Sequence, residues 1–213
     1  MSSEISQKIL PKDLVGCEKL VNTSLLHVLK NTNNTRISVD IRLEGIKIIP
    51  IIFRTIPILI QDNYNICIAF SDFGSAALAK RDYSQFQNQI FTFKDLNTIN
   101  KLDINSIVIA VAPQPYDYDE FENLCKNLRN RIIMFNGKLV EISIGIGSVG
   151  RERRSSFIKS WLNAYLIEPL DNCALQHEYP YNWFLFQYHV DGYRYVRSFS
   201  SRPSTDSIEE SLR

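Results

Sequence analysis

The stretch Asn65-Ile66-Cys67-Ile68-Ala69-Phe70-Ser71-Asp72-Phe73-Gly74-Ser75-Ala76-Ala77-Leu78-Ala79-Lys80-Arg81-Asp82 decides the fold of this chain. It joins an apolar run of strand length to an alanine-rich helical segment through a Ser-Asp-x-Gly turn. A strand, a turn and a helix in this order form the first half of a βαβ unit, from which parallel sheets are built. The carboxyl ends of parallel strands gather on one edge of the sheet, where ligands usually bind. We therefore expect an α/β fold, with any ligand site at that edge.

The flanking segments extend this prediction. Residues 14–31 carry apolar side chains at helical spacing, and residues 36–43 alternate as a strand with one solvated or half-solvated face. Ser106–Ala112 is a continuous apolar run typical of a central parallel strand. A further helix is predicted at 118–128 and a further strand at 131–135, whereas residues 85–105 read as a polar connection.

The C-terminal third has a different pattern. Short, aromatic-rich segments lie at residues 165–167, 174–179, 183–189 and 193–199. Asp191-Gly192 between the last two is a tight hairpin signal. The prediction is a mostly parallel sheet flanked by helices and extended by a C-terminal antiparallel meander, with a short acidic helix near 206–212.

The sequence contains no internal repeat and no low-complexity linker, so we expect a single α/β domain over residues 1–213. Within it, residues 10–140 form the βαβ-type part and residues 204–213 a tail. Residues 141–203 hold a glycine and arginine loop and the antiparallel strands. Whether residues 151–168 are helix or strand stays open.

Composition excludes several classes of function. The 24 basic and 23 acidic residues give a net charge of +1, so nothing global attracts nucleic acid or an anionic membrane. The 4 cysteines lie far apart and the 3 histidines fit no metal-ligand spacing, which indicates buried thiols in a reducing compartment. The N-terminus has no signal-peptide pattern. The isoleucine-rich stretch 43–60 contains charges and prolines, which favours core packing over a membrane span.

Residues 145–150 spell a literal G-x-G-x-x-G, with Gly147 at its centre. In a dinucleotide fold these glycines allow close approach to a pyrophosphate. Here the motif precedes a meander instead of a second βαβ unit, so a glycine loop is the favoured interpretation. Arg151, Arg153 and Arg154 follow directly and could hold a phosphate or carboxylate through bidentate bonds. The alternative is a solvated basic face that pairs with nearby acids.

Three polar turns follow predicted parallel strands and should converge. They are 71–75, 112–114 and 136–138. Gly74 and Ser75 would point backbone N–H groups of a helix N-terminus into the crevice, although Asp72 also makes an ordinary N-cap. The hypothetical ligand-binding residues are Asp72, Gly74, Ser75, Asn136, Gly147, Arg151, Arg153 and Arg154.

The sequence offers no catalytic constellation. It lacks a G-x-S-x-G elbow and a Walker motif, so it favours a protein that is not an enzyme, with no metal and no cofactor. The C-terminal aromatic residues could stack nucleic-acid bases, but the neutral charge balance favours sheet packing or a protein interface. The hypothetical interaction residues are Trp161, Tyr181 and Trp183.

Several short motifs resemble a known family. They include Asp72-x-Gly74-Ser75 with the alanine-rich helix, Ile132–Asn136, Arg151–Phe157, Tyr179-Pro180-x-x-Trp183 and Arg202-Pro203. In order and spacing, from about Leu10 to Pro203, they are similar to a domain-of-unknown-function family of oxygenic phototrophs. That family is typified by the chloroplast Low Photosystem-II Accumulation 3 protein, and its domain is also fused to a plastid adenylate kinase. The family often has Asn-Pro where this chain has Asn136-Gly137.

The resemblance implies a photosynthesis-associated auxiliary protein of a cyanobacterium or plastid, which assists photosystem assembly through protein contacts. It implies a place in the cytoplasm or plastid stroma, at most peripheral to the thylakoid membrane. The expected partners are photosystem subunits or assembly factors, not nucleic acid, and the resemblance carries over no catalytic residue. The alternative function is a phosphate- or nucleotide-binding α/β domain with its site at the carboxyl ends of the strands.

Overall fold

The computed structural model describes residues 9–99, 102–139 and 148–213. The helices are α1 (Leu14–Asn31), α2 (Ile48–Gln61), α3 (Phe73–Asp82), α4 (Phe93–Thr98), α5 (Tyr118–Asn127), α6 (Ser148–Lys159) and α7 (Thr205–Leu212). The strands are β1 (Arg36–Ile41), β2 (Asn65–Phe70), β3 (Ile90–Thr92), β4 (Ser106–Val111), β5 (Arg131–Phe135), β6 (Leu162–Leu170), β7 (Cys173–Glu178), β8 (Trp183–His189) and β9 (Gly192–Phe199). Short 3₁₀ helices occur at Ser84–Gln89 and Pro115–Asp117.

The chain divides into two compact units, which are described separately. Unit 1 comprises Met1–Asn31, Asp40–Ile46 and Asn163–Arg213. Unit 2 comprises Thr32–Val39 and Lys47–Leu162. This division does not test the expectation of a single domain, which stays a prediction.

Unit 2 is built on parallel strands in the order β3-β2-β4-β5-β1. In the register, Ile109 of β4 lies between Ile68 of β2 and Ile133 of β5, and Ile133 also pairs with Ile37 of β1. All residues of β4 are buried, as expected of a central strand with both faces covered. The parallel half of the predicted fold class is confirmed.

The helix after β2 begins where the sequence predicts. The Asp72 side chain accepts a hydrogen bond from the backbone N–H of Ser75 at 2.8 Å and caps α3. This satisfies one of the N–H groups that a helix start leaves without a partner. Local chemistry therefore fixes the strand-turn-helix unit on which the fold prediction depends.

Two local expectations are wrong. The strand β1 has no solvated face, because the polar side chains of Ser38 and Asp40 are buried along with its apolar ones. The region 85–105 is not only a polar connection, because it contains β3 and α4. There Thr92 and Asp95 form a reciprocal capping box that starts α4.

The isoleucine-rich stretch forms α2, with Pro57 inside the helix. The helix buries one side of its surface through Ile51, Ile52, Phe53, Ile56 and Leu59. This confirms core packing for the segment. Among the described residues, no helix is long and apolar enough to cross a membrane.

Unit 1 combines α1 with an antiparallel meander of strands in the order β6-β7-β8-β9. The helix buries an apolar stripe that includes Val21, Leu25 and Val28. The β8–β9 hairpin closes between His189 and Gly192, whose φ of +123° suits glycine alone. The C-terminal meander and its hairpin are confirmed, so the fold class is a mixed α/β fold as predicted.

Candidate functional site

The carboxyl ends of the parallel strands in unit 2 meet at one edge, as the sequence predicts. Since β2, β4 and β5 are neighbours and run in the same direction, Asp72, Pro113 and Asn136 follow them on the same side of the sheet. We call this edge, with residues 71–75, 112–114 and 136–138, the carboxyl rim. Two of its three turns, 112–114 and 136–138, are linked by hydrogen bonds from the Lys138 N–H to the Pro113 carbonyl and from the Ala112 N–H to the Phe135 carbonyl, each 2.8 Å long.

Two non-glycine residues of the carboxyl rim have a positive φ, which is rare for alanine and more common for asparagine. Ala112 has φ of +45° and Asn136 has φ of +48°. The left-handed region costs a non-glycine residue about 1 kcal/mol or more, and such conformations concentrate at binding and catalytic sites. At the adjacent Gly137, an added Cβ would lie 2.8 Å from Cγ of Met134, so that side chain would have to move to admit a larger residue. The rim therefore packs closely at this turn.

The start of α3 is less open to an anion than the sequence suggests. The Asp72 carboxylate already occupies the helix N-terminus, and its hydrogen bonds to Ser75 and Gly74 lower its pKa. A carboxylate at this position supplies the negative charge that the helix dipole favours. The negative charge of Asp72 would repel a phosphate placed beside Gly74 and Ser75.

The arginines after Gly150 lie on the helix α6. The segment 151–168, whose secondary structure the sequence leaves open, is helix up to Lys159 and strand β6 from Leu162 onward. Arg153 forms an ion pair with Glu122 of α5, in which both Glu122 oxygens accept hydrogen bonds from the guanidinium group. The Glu122 side chain is only 5% exposed and also contacts the Lys126 ammonium group at 3.0 Å. Arg153 is thus engaged in holding α6 against α5.

Tyr118 completes this ion-pair cluster at the start of α5. Its hydroxyl donates to Oε1 of Glu122 at 3.2 Å, and the Arg154 guanidinium lies 4.5 Å from its ring centroid. Hydrogen bonds from Arg153, Lys126 and Tyr118 lower the pKa of Glu122 to about 2. Burial and the neighbouring Glu122 charge raise the pKa of Tyr118 to about 12. Arg153 and Arg154 therefore both lie over the ring of Tyr118, which follows Gln114 of the rim by four residues in the sequence.

The other hypothetical ligand-binding residues have different outcomes. Gly147 lies outside the described residues. Arg151 is exposed on α6. Ligand binding by the whole predicted set stays a prediction.

The two tryptophans are packing residues of their own units. Trp161 is 8% exposed in the core of unit 2, where it stacks on Phe121 with ring centroids 5.6 Å apart. Trp183 is 9% exposed in unit 1 and stacks on His177 at 4.5 Å. Burial leaves these indoles little surface for a partner, whereas Tyr181 is exposed.

A different aromatic surface lies on the β8–β9 hairpin, and the sequence reasoning missed it. Tyr188, Tyr193 and Tyr195 are 40 to 55% exposed, and Val190 at the hairpin tip is fully exposed. Register places the three tyrosines on one face, because Tyr188 pairs with Tyr193 and Phe186 pairs with Tyr195. We call these four residues the tyrosine surface. The pairing of aromatic residues across the Asp191-Gly192 turn was the signal that could have found it.

A groove of about 400 Å³ adjoins this surface within unit 1. Its walls are mostly apolar and come from the start of α1, from Leu43 and from β6, β7 and β9. Tyr193 lines the groove as well as the tyrosine surface, so the two features are continuous. The thiol of Cys17, which also lines the groove, donates to the Tyr165 hydroxyl at 3.5 Å, and burial raises its pKa. That thiol is therefore poorly suited to act as a nucleophile.

The comparisons with known proteins identify a family without a known activity. Residues 11–210 match the family described as a domain of unknown function, DUF1995, so the chain belongs to that family. A comparison with curated proteins found no match. Within the described residues, no group of histidine, cysteine or acidic side chains is arranged to hold a metal ion.

Proposed function

We propose that the protein is a non-enzymatic auxiliary factor of photosynthesis that binds a photosystem polypeptide or assembly factor through unit 1. The observation that carries this proposal is the tyrosine surface with its adjoining groove. Tyrosine and arginine are enriched at protein interfaces, where tyrosine supplies large contact area at a small cost in conformational entropy. The assignment to photosynthesis is supported by the order of the motifs that resemble the phototroph family.

The strand register fixes the chemical character of the tyrosine surface. Arg194 and Arg197 are exposed on β9 but pair with Gln187 and Leu185, so they lie on the opposite face of the hairpin from the tyrosines. The partner segment that fits therefore presents an apolar or aromatic anchor side chain to the groove and the tyrosine surface. The helix α7 contacts β9. With α7 in place, the side chains of Tyr193 and Tyr195 are still 43% and 40% exposed.

The direct test is site-specific photocrosslinking in an extract of phototroph membranes. A photoreactive phenylalanine analogue replaces Tyr195, and a control protein carries it at Tyr116, which is 84% exposed in unit 2. The proposal predicts crosslinks to photosystem subunits or assembly factors from position 195 and not from position 116. Equal patterns from both positions, or products unrelated to photosystems, would contradict it.

The carboxyl rim supports a second candidate function, the binding of a phosphate or nucleotide. The observation that favours it is the pair of left-handed residues, Ala112 and Asn136, at adjacent strand ends. The capping carboxylate of Asp72 and the engagement of Arg153 by Glu122 weaken it. Arg154 is the better probe, because its replacement leaves the ion pair of Arg153 intact.

Equilibrium titrations with ATP, ADP and NAD test this second function. Micromolar binding that is lost in Arg154→Gln and retained in a control variant, Lys159→Gln at the end of α6, would establish nucleotide binding at a site that includes Arg154. Such a result would displace the interaction factor as the primary function. Millimolar or absent binding of all three nucleotides would remove the rim from consideration.

A further inference from the structure

A second cavity, of about 660 Å³, lies in unit 2 away from the carboxyl rim. Its residues come from the ends of α4 and α5 and from the turns that directly precede β4 and β5. Since these turns enter the strands, the cavity is at the amino-terminal edge of the parallel sheet. Its volume falls within the range of small-molecule sites, roughly 300 to 1,000 Å³.

One wall of the cavity is apolar and rests on the core of the unit. Leu96 is 1% exposed, and Ile99, Leu102 and Leu128 are partly buried against the same core. Ile104 lies at the cavity with 68% of its surface exposed. An apolar ligand body would cover these side chains and remove their surface from water.

The polar wall is held in place by hydrogen bonds. The Asn130 amide donates to the backbone carbonyls of Asp103 at 2.7 Å and Ser106 at 3.0 Å. The Asp103 carboxylate accepts one bond on each oxygen, from Asn65 at 3.1 Å and from the Asn105 N–H at 3.0 Å. Each carboxylate oxygen retains acceptor capacity for a ligand donor.

Among the described residues that line the cavity, Arg129 and Asp103 carry charges of opposite sign, and both are exposed. Arg129 makes no ion pair in the part of the chain that the structure describes. It directly precedes Asn130, whose side chain bonds to the backbone of Asp103, so the two charged residues lie on backbone segments that are hydrogen-bonded to each other. A lone anion would face Asp103 and the negative end of α5, and a lone cation would face Arg129. A ligand with both charges meets neither penalty.

We propose that this cavity binds a small zwitterion with an apolar body, of the class of aromatic or branched amino acids. The carboxylate of the ligand contacts Arg129, and its ammonium group contacts Asp103. The body lies against Leu96, Ile99, Leu102 and Leu128. The amides of Asn97 and Asn127, which are joined at 3.2 Å, border the polar part of the site. This site is independent of the tyrosine surface and of the function proposed for it.

Three indole compounds separate the contributions of the two charges. L-tryptophan carries both, tryptamine carries only the ammonium group, and indole-3-propionate carries only the carboxylate. Calorimetric titration at pH 7 should give L-tryptophan the lowest Kd, by about tenfold or more, as expected for the gain of one charge-assisted hydrogen bond. Equal affinities of the three compounds, or no binding of L-tryptophan at millimolar concentration, would overturn the proposal.

Two variants should change the relative affinities of the three compounds in opposite ways. Arg129→Gln should weaken L-tryptophan and indole-3-propionate and strengthen tryptamine, because it removes the positive charge that a lone cation faces. Asp103→Asn should weaken L-tryptophan and tryptamine and strengthen indole-3-propionate, because it removes the negative charge that a lone anion faces. Equal losses for all three compounds in either variant would contradict the assigned contacts.

The apolar wall has its own matched variants. Ile104→Ser should weaken all three compounds several-fold, whereas Ile104→Leu should retain their affinity, and the exposure of Ile104 keeps the effect on folding small. Phe73→Ser, at a residue 80% exposed elsewhere in unit 2, is the control for a general loss of apolar surface. If Phe73→Ser weakens the compounds as much as Ile104→Ser, binding is nonspecific and the site is refuted.

Discussion

Tyr188 and Tyr193 lie opposite each other on β8 and β9, with ring centroids 5.2 Å apart and ring planes at 62°. The edge-to-face arrangement stabilises the pair in spite of its exposure. Together with Tyr195 it presents aromatic surface on a strand that, among the described residues, pairs with β8 alone. Proteins usually protect such an edge, and here the exposed aromatic side chains favour use of the strand as a contact surface.

Acid should destabilise unit 2 through Glu122. The folded-state pKa of about 2 is below the ordinary value of 4.5, so the stabilisation is complete above about pH 4.5 and is lost as pH falls towards 2. The linked free energy is on the order of 2 to 3 kcal/mol. Chemical denaturation of Glu122→Gln at pH 7 should show a loss of this size, with a flatter dependence on pH between 4.5 and 2.

The matched control for Glu122 is Asp119→Asn. The Asp119 side chain is 79% exposed and 3.9 Å from Arg153, so its removal should change the free energy of unfolding little. Equal losses in the two variants would refute the role of Glu122 as the acceptor that holds α6 to α5.

Gly137→Ala should destabilise the carboxyl rim. An added Cβ would overlap the Met134 side chain, so the free energy of unfolding should fall by about 1 to 3 kcal/mol. Gly16→Ala is the control, because its Cβ would meet only ordinary contacts at 3.4 Å or more inside α1. That variant should be neutral or stabilising by about 0.5 kcal/mol. A neutral Gly137→Ala would show that the Met134 side chain or the turn can move aside, and would contradict close packing of the rim at this position.

His177 should make unit 1 sensitive to mild acid. Its pKa is lowered from 6.5, mainly by burial, so protonation favours the unfolded state and stability falls as pH drops below about 6.5. Amide exchange of β7 and β8 should accelerate between pH 6.5 and 5 beyond the intrinsic change. His177→Gln should remove this extra acceleration, whereas His189→Gln on β8 should retain it. The same profile in His177→Gln would assign the effect to another group.

Sequence could predict whatever local chemistry decides. The Asp72 cap, the buried run of β4 and the Asp191-Gly192 turn are each specified within a few residues, and the structure confirms all three. The strand β3 is three residues long and too short for periodicity to reveal, although the Thr92-x-x-Asp95 box marks the helix after it. A capping box is thus a better signal than hydrophobic pattern for so short a strand and helix.

Tertiary contacts account for what the sequence could not give. Arg153 pairs with Glu122, which is 31 residues away in the sequence. No sequence pattern near residue 153 distinguishes an arginine in an ion pair from one that binds a phosphate. From sequence alone, Trp161 and Trp183 cannot be distinguished from exposed interface residues. Their burial results from packing against Phe121 and His177. The alternation in β1 predicts a solvated face because it reports the polarity of the side chains and not which elements cover the strand.

The most direct test of the account is the Kd of the purified protein for the photosystem polypeptide or assembly factor that crosslinks to position 195. Tyr193→Ser combined with Tyr195→Ser should raise this Kd by about tenfold or more, as expected for loss of aromatic contacts at an interface. Tyr116→Ser in unit 2 should leave it unchanged. An unchanged Kd in the folded double variant would contradict the claim that the tyrosine surface binds the partner.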